Sequence, residues 1–177
     1  MGAALAIINK HRNVLLIDMV LLSALYLVPT VSHLTATPLY KLEPMRIALI
    51  VALLFTHRAN AYLIAFTIPL ASAWITGHPP PLKAVLMGIE FTILVATYAH
   101  LVRKDRIPAF VALIAGILLG KVVYYAMKYV VLGMGWLGGS LVSTPVQTQV
   151  VLALGTAAVF GLIEHYHTRN SQRQPPL

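Results

Sequence analysis

Residues 108–132 read PAFVALIAGILLGKVVYYAMKYVVL, an apolar stretch in which the only charged side chains are Lys121 and Lys128. A helix of this length covers about 37 Å, more than the roughly 30 Å of hydrocarbon in a bilayer. Similar stretches recur along a chain that is 59% hydrophobic and 10% charged, with a mean hydropathy of +0.81. Soluble domains carry about 25% charged residues. The composition therefore predicts an all-α integral membrane protein.

Hydropathy predicts a compact bundle of six transmembrane helices in one domain, residues 1–170, followed by a disordered cytoplasmic tail at 171–177. The second predicted span is short, because a membrane helix needs about 20 residues. We therefore expect the second and third spans to form a tight hairpin through residues 56–60, or one of them to be tilted or broken. In chain order the six spans are 14–31, 45–57, 60–76, 82–101, 108–132 and 145–164.

Basic residues divide unequally between the two sides of this predicted bundle. One side carries Lys10, Arg12, Arg58, Arg103, Lys104, Arg106, Arg169 and Arg173, whereas the loops of the other side carry only Lys41. The positive-inside rule then predicts cytoplasmic N- and C-termini, and we expect the plasma (inner) membrane of a bacterium. The net charge of +8 is explained mainly by this topology, so no nucleic-acid partner is expected. The absence of cysteine excludes disulfides and thiolate metal sites.

Three of the predicted helices carry small residues four positions apart, a spacing that favours close helix packing in lipid. Two interpretations are open for these stripes: packing within one chain, or contact of one stripe with a partner membrane protein. The residues, from the fourth to the sixth span, are Ala84 and Gly88; Ala112, Gly116 and Gly120; and Ala153, Ala157 and Gly161.

Ionisable residues inside a membrane span are costly and mark candidate functional sites. Glu90 in the fourth span and Lys121 in the fifth fall at similar depths, toward the outer leaflet, and Tyr125 continues the Lys121 face. Glu43 and Arg46 stand at the outer mouth of the second span. Two interpretations are open for Glu90 and Lys121: a structural salt bridge, or the lining of a polar cavity that holds a charged or zwitterionic ligand.

Other polar and aromatic residues fall on the same outer side, which suits a pocket that opens to the exterior. The outer loops at 33–44, 77–81 and 133–144 are rich in Pro, Gly, Ser and Thr, and they act either as a lid or only as connections. The remaining predicted ligand-binding residues are Tyr40, Trp74, His78, Trp136 and Gln147.

The sequence contains no phosphate-binding glycine loop, HExxH motif, nucleophile elbow or pair of catalytic carboxylates. No catalytic residue and no cofactor is therefore predicted. Glu164, His165 and His167 could bind a metal, but they lie at a predicted cytoplasmic helix end where interfacial snorkelling explains them better. No metal site is predicted.

The layout resembles the substrate-binding S components of energy-coupling factor (ECF) transporters. The resemblance covers most of the chain: LEPMR at 42–46 leads into a short second span, and THRAN at 56–60 leads into the third. It implies a vitamin-like ligand in the outer half, and a membrane coupling subunit with cytoplasmic ATPases as partners. One departure is that residues 15–31 lack the family's Ala-x-x-x-Ala stripe. The first histidine, His11, lies on the cytoplasmic side, so a metal cargo is not expected.

These observations favour an uptake component for a small water-soluble nutrient, which is not itself an enzyme. A non-catalytic scaffold subunit of a larger membrane complex is the alternative, and in it Glu90 and Lys121 would form a structural pair. A small membrane enzyme acting on lipid is a third interpretation.

Overall fold

The computed structural model describes residues 43–102 and 107–171, together with residues 16, 19, 20 and 23. The side chains of residues 54 and 164–171 are not described. Residues 43–102 and 107–171 form five helices and no strand. The first predicted span lies almost wholly outside the described residues, as does the tail at 172–177. The number of six helices and the cytoplasmic termini therefore stay predictions. The helices are α1 (Pro44–Phe55), α2 (Arg58–Thr76), α3 (Pro81–Val102), α4 (Ala109–Gly133) and α5 (Val146–Ser171).

Helices α2 to α5 are each long and apolar enough to cross a membrane. They correspond to the third to sixth predicted spans, with ends that differ by at most two residues except at the end of α5. There the helix continues to Ser171, seven residues past the predicted end. Together the four helices indicate a multi-pass membrane protein in a lipid bilayer.

Helix α1 is 12 residues long and covers about 18 Å, too little to cross the roughly 30 Å of hydrocarbon. It contacts α2, α3 and α5, and none of the described side chains from Pro44 to Leu53 is exposed. Leu49 and Ile50 are both 0% exposed. The neighbouring helices therefore cover most of the surface of α1.

The predicted hairpin between the second and third spans is confirmed. Only Thr56 and His57 separate α1 from α2. Thr56 ends α1 with two contacts to the carbonyl oxygen of Ala52, from its backbone N–H at 2.9 Å and from Oγ1 at 2.6 Å. This connection lies at the same end of the bundle as the last residues of α3 and the first residues of α4, and we call this the hairpin end.

The connections 77–80 and 134–145 lie at the opposite end, which we call the loop end. Gly77 has a φ of 69°, a left-handed conformation that suits glycine and terminates α2. Oγ of Ser72 and Oγ1 of Thr76 donate hydrogen bonds to the carbonyl oxygen of His78, at 2.8 and 3.0 Å. These bonds hold the short connection 77–80 against the end of α2.

Consecutive helices from α2 to α5 pack side by side, and α1 closes the bundle against α2 and α5. The close packing of α3 against α4 depends on two glycines. A Cβ atom on Gly116 would lie 2.9 Å from the carbonyl oxygen of Leu94, and one on Gly120 would lie 2.8 Å from that of Glu90. Both distances are too short for a real contact. The two backbones can therefore approach this closely only because glycine has no side chain at these positions.

The other predicted small-residue stripes also face the interior. Ala84, Ala112 and Ala157 are 0% exposed, Gly88 lies against Phe66, and a Cβ on Gly161 would lie 2.9 Å from Cβ of Phe110. Ala153 packs against the core. These contacts are packing within the chain, and a partner interface at the same residues stays a prediction. The outer surface of α5 instead carries exposed apolar side chains suited to lipid, among them Val151, Leu154, Val159 and Leu162.

Candidate functional site

Four charged side chains from α1, α3 and α4 meet inside the bundle, and we call them the charge cluster: Glu43, Arg46, Glu90 and Lys121. Arg46 forms an ion pair with Glu43, and its Nη2 donates to Oε1 of Glu90 at 2.6 Å. Nζ of Lys121 donates to Oε1 of Glu43 at 3.0 Å and lies 3.5 Å from Oε1 of Glu90. The predicted Glu90–Lys121 pair is therefore present, and each of its members also contacts the residues at the start of α1.

The cluster balances two carboxylates with two cations and is deeply enclosed. The side chains of Arg46 and Glu90 are each 4% exposed, whereas those of Glu43 and Lys121 are 19% and 18% exposed. Buried ions are stable only when opposite charges balance them, because the transfer of each charge out of water costs roughly several kcal/mol even after the protein relaxes. Within the described residues, Nε of Arg46 is the only buried side-chain nitrogen or oxygen without a hydrogen-bond partner.

Local backbone features place these groups. Pro44 occupies the first turn of α1, where its missing N–H does no harm. Glu43 precedes it with a φ of 51°, a left-handed conformation, and its carbonyl oxygen accepts from the N–H groups of Arg46 and Ile47. On α3, the backbone of Glu90 lies against Gly120 of α4. The glycine thus brings Glu90 within reach of Lys121, one residue further along α4.

Two tyrosines extend the site from Lys121 toward the loop end. Nζ of Lys121 lies 5.7 Å from the ring centre of Tyr124 and 5.9 Å from that of Tyr125, within cation–π range. The hydroxyl of Tyr125 donates to Oε1 of Gln149 at 2.8 Å, and Nε2 of Gln149 donates to the carbonyl oxygen of Thr144 at 2.7 Å. This chain of contacts connects the charge cluster to α5 and to the connection that precedes it.

Lys128 is a buried cation that the predicted binding set did not include. The residue is 2% exposed, and its Nζ donates to the carbonyl oxygen of Leu141 at 2.8 Å and to Oγ of Ser143 at 2.9 Å. Its position seven residues after Lys121 places both on one face of α4, and this spacing was the available signal. The predicted set also included Gln147 and not Gln149. In the structure Gln149 is buried, at 8% exposed, and Gln147 is exposed.

The remaining predicted ligand-binding residues lie apart from the cluster or outside the described residues. Trp74 and Trp136 are 90% and 70% exposed, and His78 is exposed in the connection 77–80. Tyr40 belongs to the part of the chain that is not described. Five of the ten predicted residues thus come together in one place: Glu43, Arg46, Glu90, Lys121 and Tyr125.

The arrangement brings charged and aromatic side chains together. In the described ranges no three His, Cys, Asp or Glu side chains are grouped as a metal site would require. The charge cluster offers two carboxylates, a guanidinium and an ammonium group, and its neighbours Tyr124, Tyr125 and Lys128 add two phenol rings and a second ammonium group. Such groups can bind charged groups by ion pairing and cation–π contact.

Comparison of the chain with family models, curated proteins and solved structures finds no match. The class of the protein therefore follows from its own features: a helical bundle with four candidate membrane spans, a short enclosed helix and a buried charge cluster.

Proposed function

We propose that this chain is a membrane-embedded substrate-binding subunit for uptake of a small water-soluble nutrient, vitamin-like in size and charged or zwitterionic. The observation that supports the proposal is the charge cluster, which joins Glu90 and Lys121 to residues of α1 within an otherwise apolar bundle. Intramembrane ionisable residues are expensive and rarely kept without a use. The protein would reside in the plasma (inner) membrane of a bacterium, with its termini in the cytoplasm.

The cluster can exchange an internal ion pair for contacts with a ligand. Nζ of Lys121 is 3.5 Å from Glu90, a longer distance than the 2.6 Å between Arg46 and the same carboxylate oxygen. A ligand carboxylate would bind Lys121, and a ligand cation would bind Glu90 or Glu43. Arg46 would keep its partners, while Tyr125 and Tyr124 would pack against an apolar or aromatic part of the ligand.

Uptake against a gradient would require partners, because the sequence contains no nucleotide-binding loop. In the proposed assembly a transmembrane coupling subunit and cytoplasmic ATPases supply the energy, as the resemblance to ECF S components implies. The chain itself would supply recognition of the ligand.

Native mass spectrometry of the gently solubilised full-length protein tests the proposal. We expect a stoichiometric, polar adduct of vitamin size in the wild type, and its loss in Lys121→Met with the fold retained. Arg58→Gln is the matched control, since it removes one exposed charge at the hairpin end, and it should retain the adduct. A bare protein mass, or lipid adducts alone, would contradict the proposal.

A scaffold subunit of a larger membrane complex is the second candidate, and the mutual compensation within the charge cluster favours it. In that function the cluster holds α1, α3 and α4 together and binds no ligand. Either single change at Glu90 or Lys121 should then destabilise the fold, and the double change should restore part of the loss.

A further inference from the structure

The register between α3 and α4 places two lysines opposite each other. Gly116 lies against Leu94 and Gly120 against Glu90. The two helices are therefore antiparallel, and a residue four positions later in α4 lies opposite a residue four positions earlier in α3. Lys83 precedes Glu90 by seven residues, and Lys128 follows Lys121 by seven. Both lysines therefore lie about 10 Å nearer the loop end than the Glu90–Lys121 pair. At the level of Glu90 and Lys121, the interface brings opposite charges together. At the next level toward the loop end, it brings together two cations, Lys83 and Lys128.

These two cations lack a carboxylate partner among the described residues. The shared level of Lys83 and Lys128 brings two like charges to one part of the interface, where each charge disfavours the other. Lys128 is 2% exposed, and its ammonium group donates only to two neutral oxygens, on Leu141 and Ser143. Burial of like charges with neutral acceptors alone is unfavourable. A group that supplies negative charge at this level would therefore stabilise the arrangement.

The balance of charge within the described bundle also favours a bound anion. Four buried or half-buried cations, on Arg46, Lys83, Lys121 and Lys128, stand against two carboxylates, on Glu43 and Glu90, which leaves a surplus of two positive charges. The chain contains three other carboxylates, on Asp18, Asp105 and Glu164, whose side chains lie outside the described residues. A bound anion would remove the surplus.

We propose that Lys83 and Lys128, together with Lys121 and Tyr124, bind an oxyanion, the carboxylate or phosphate group of a ligand, between α3 and α4. The ring of Tyr124 lies between the two lysines of α4, 5.7 Å from one ammonium nitrogen and 5.8 Å from the other. The connection 134–145 adjoins the site, because Leu141 and Ser143 contact Lys128. That the ligand is the nutrient rests on the proposed function, whereas the anion site itself does not.

The first experiment is thermal unfolding of the full-length protein in a neutral detergent. Sodium phosphate and sodium citrate are compared with sodium chloride at equal ionic strength, and phosphatidylglycerol is compared with phosphatidylcholine in mixed micelles. A ligand that binds only the folded state raises Tm in proportion to its occupancy. We expect an oxyanion to raise Tm beyond the effect of chloride. Stabilisation by phosphate or citrate identifies a soluble anion, and stabilisation by phosphatidylglycerol alone identifies a lipid headgroup.

The variants Lys83→Met and Lys128→Met should each weaken this response by at least ten-fold in apparent Kd, and Arg58→Met should leave it unchanged. Lys83→Met is the decisive variant, because no described residue makes a hydrogen bond or ion pair with Lys83. Without an oxyanion, the variant should have a higher Tm than the wild type, because the repulsion between cations is relieved. At a saturating concentration of oxyanion, its Tm should be lower than that of the wild type. If Lys83 instead had a structural role with an internal carboxylate partner, Lys83→Met would have a lower Tm than the wild type without added anion.

Two results would overturn the anion site: no oxyanion-specific stabilisation by any of these probes, or an undiminished response in Lys83→Met. The proposed function fails separately. A neutral or cationic small-molecule adduct in native mass spectrometry, without an oxyanion effect, would retain the binding subunit and reject the anion site. An oxyanion effect without a small-molecule adduct would retain the anion site and reject the nutrient-binding function.

Discussion

Nη2 of Arg46 donates a hydrogen bond of 2.6 Å to Oε1 of Glu90, and both side chains are 4% exposed. The bond ties the first turn of α1 to the middle of α3, 44 positions further along the chain. Helix α1 is too short to be positioned by both membrane surfaces. This ion pair, together with the apolar packing around α1, therefore determines where the short helix stands in the bundle.

Replacement of Glu90 by Gln should destabilise the fold by about 3 kcal/mol, because it leaves Arg46 buried with less compensation. Glu43→Gln is the matched comparison: the same change at a side chain that is 19% exposed should cost about 1 kcal/mol. Equilibrium unfolding in mixed micelles measures both. Addition of Arg46→Met to Glu90→Gln should recover part of the loss, and strictly additive losses would show that the pair is not coupled.

Introduction of a methyl group at Gly120 should separate α3 from α4. A Cβ there would lie 2.8 Å from the backbone oxygen of Glu90 and 3.3 Å from its Cγ, so Gly120→Ala should cost about 1–3 kcal/mol. Gly155→Ala is the control, since Gly155 is in α5 with no atom within 4 Å of an added Cβ, and it should be neutral or slightly stabilising. Equal effects of the two changes on Tm would refute the close packing at Gly120.

Removal of the hydroxyl of Tyr125 should cost about 1 kcal/mol, because Oε1 of the buried Gln149 loses its 2.8 Å hydrogen bond. Tyr129→Phe makes the same chemical change on the same helix at a residue that is 70% exposed, and it should have no measurable effect. Thermal unfolding of the two variants in one detergent gives the comparison. A loss of Tm in Tyr129→Phe as large as in Tyr125→Phe would argue against the Tyr125–Gln149 contact.

The orientation in the membrane can be tested with single cysteines, since the chain has none of its own. His78→Cys and Trp136→Cys place a thiol at exposed positions of the loop end, and Arg58→Cys places one at the hairpin end. The positive-inside rule predicts that a membrane-impermeant maleimide labels the first two in intact cells and the third only after permeabilisation. The reverse pattern would invert the proposed topology.

Several features of the fold could be predicted from local sequence alone. The spans that became α2 to α5, a tight hairpin within residues 56–60 and the pairing of Glu90 with Lys121 follow from hydropathy, turn residues and helix rise, which are properties of neighbouring residues. The seven-residue spacing of Lys121 and Lys128 likewise identifies a shared helix face. The involvement of Gln149 rather than Gln147 could not be predicted, because two residues so close on an apolar helix point in different directions and no periodicity marks the inner face.

The sequence by itself therefore determined the membrane class of the chain, the placement of its long helices and the short length of α1. Only the tertiary structure decided that Arg46 and Glu43 join the Glu90–Lys121 pair, and that Lys83 stands level with Lys128. The reason is physical: hydropathy is a local property, whereas the register between two helices is determined by the fit of their surfaces. Here that fit depends on Gly116 and Gly120, where the backbones of α3 and α4 come into contact.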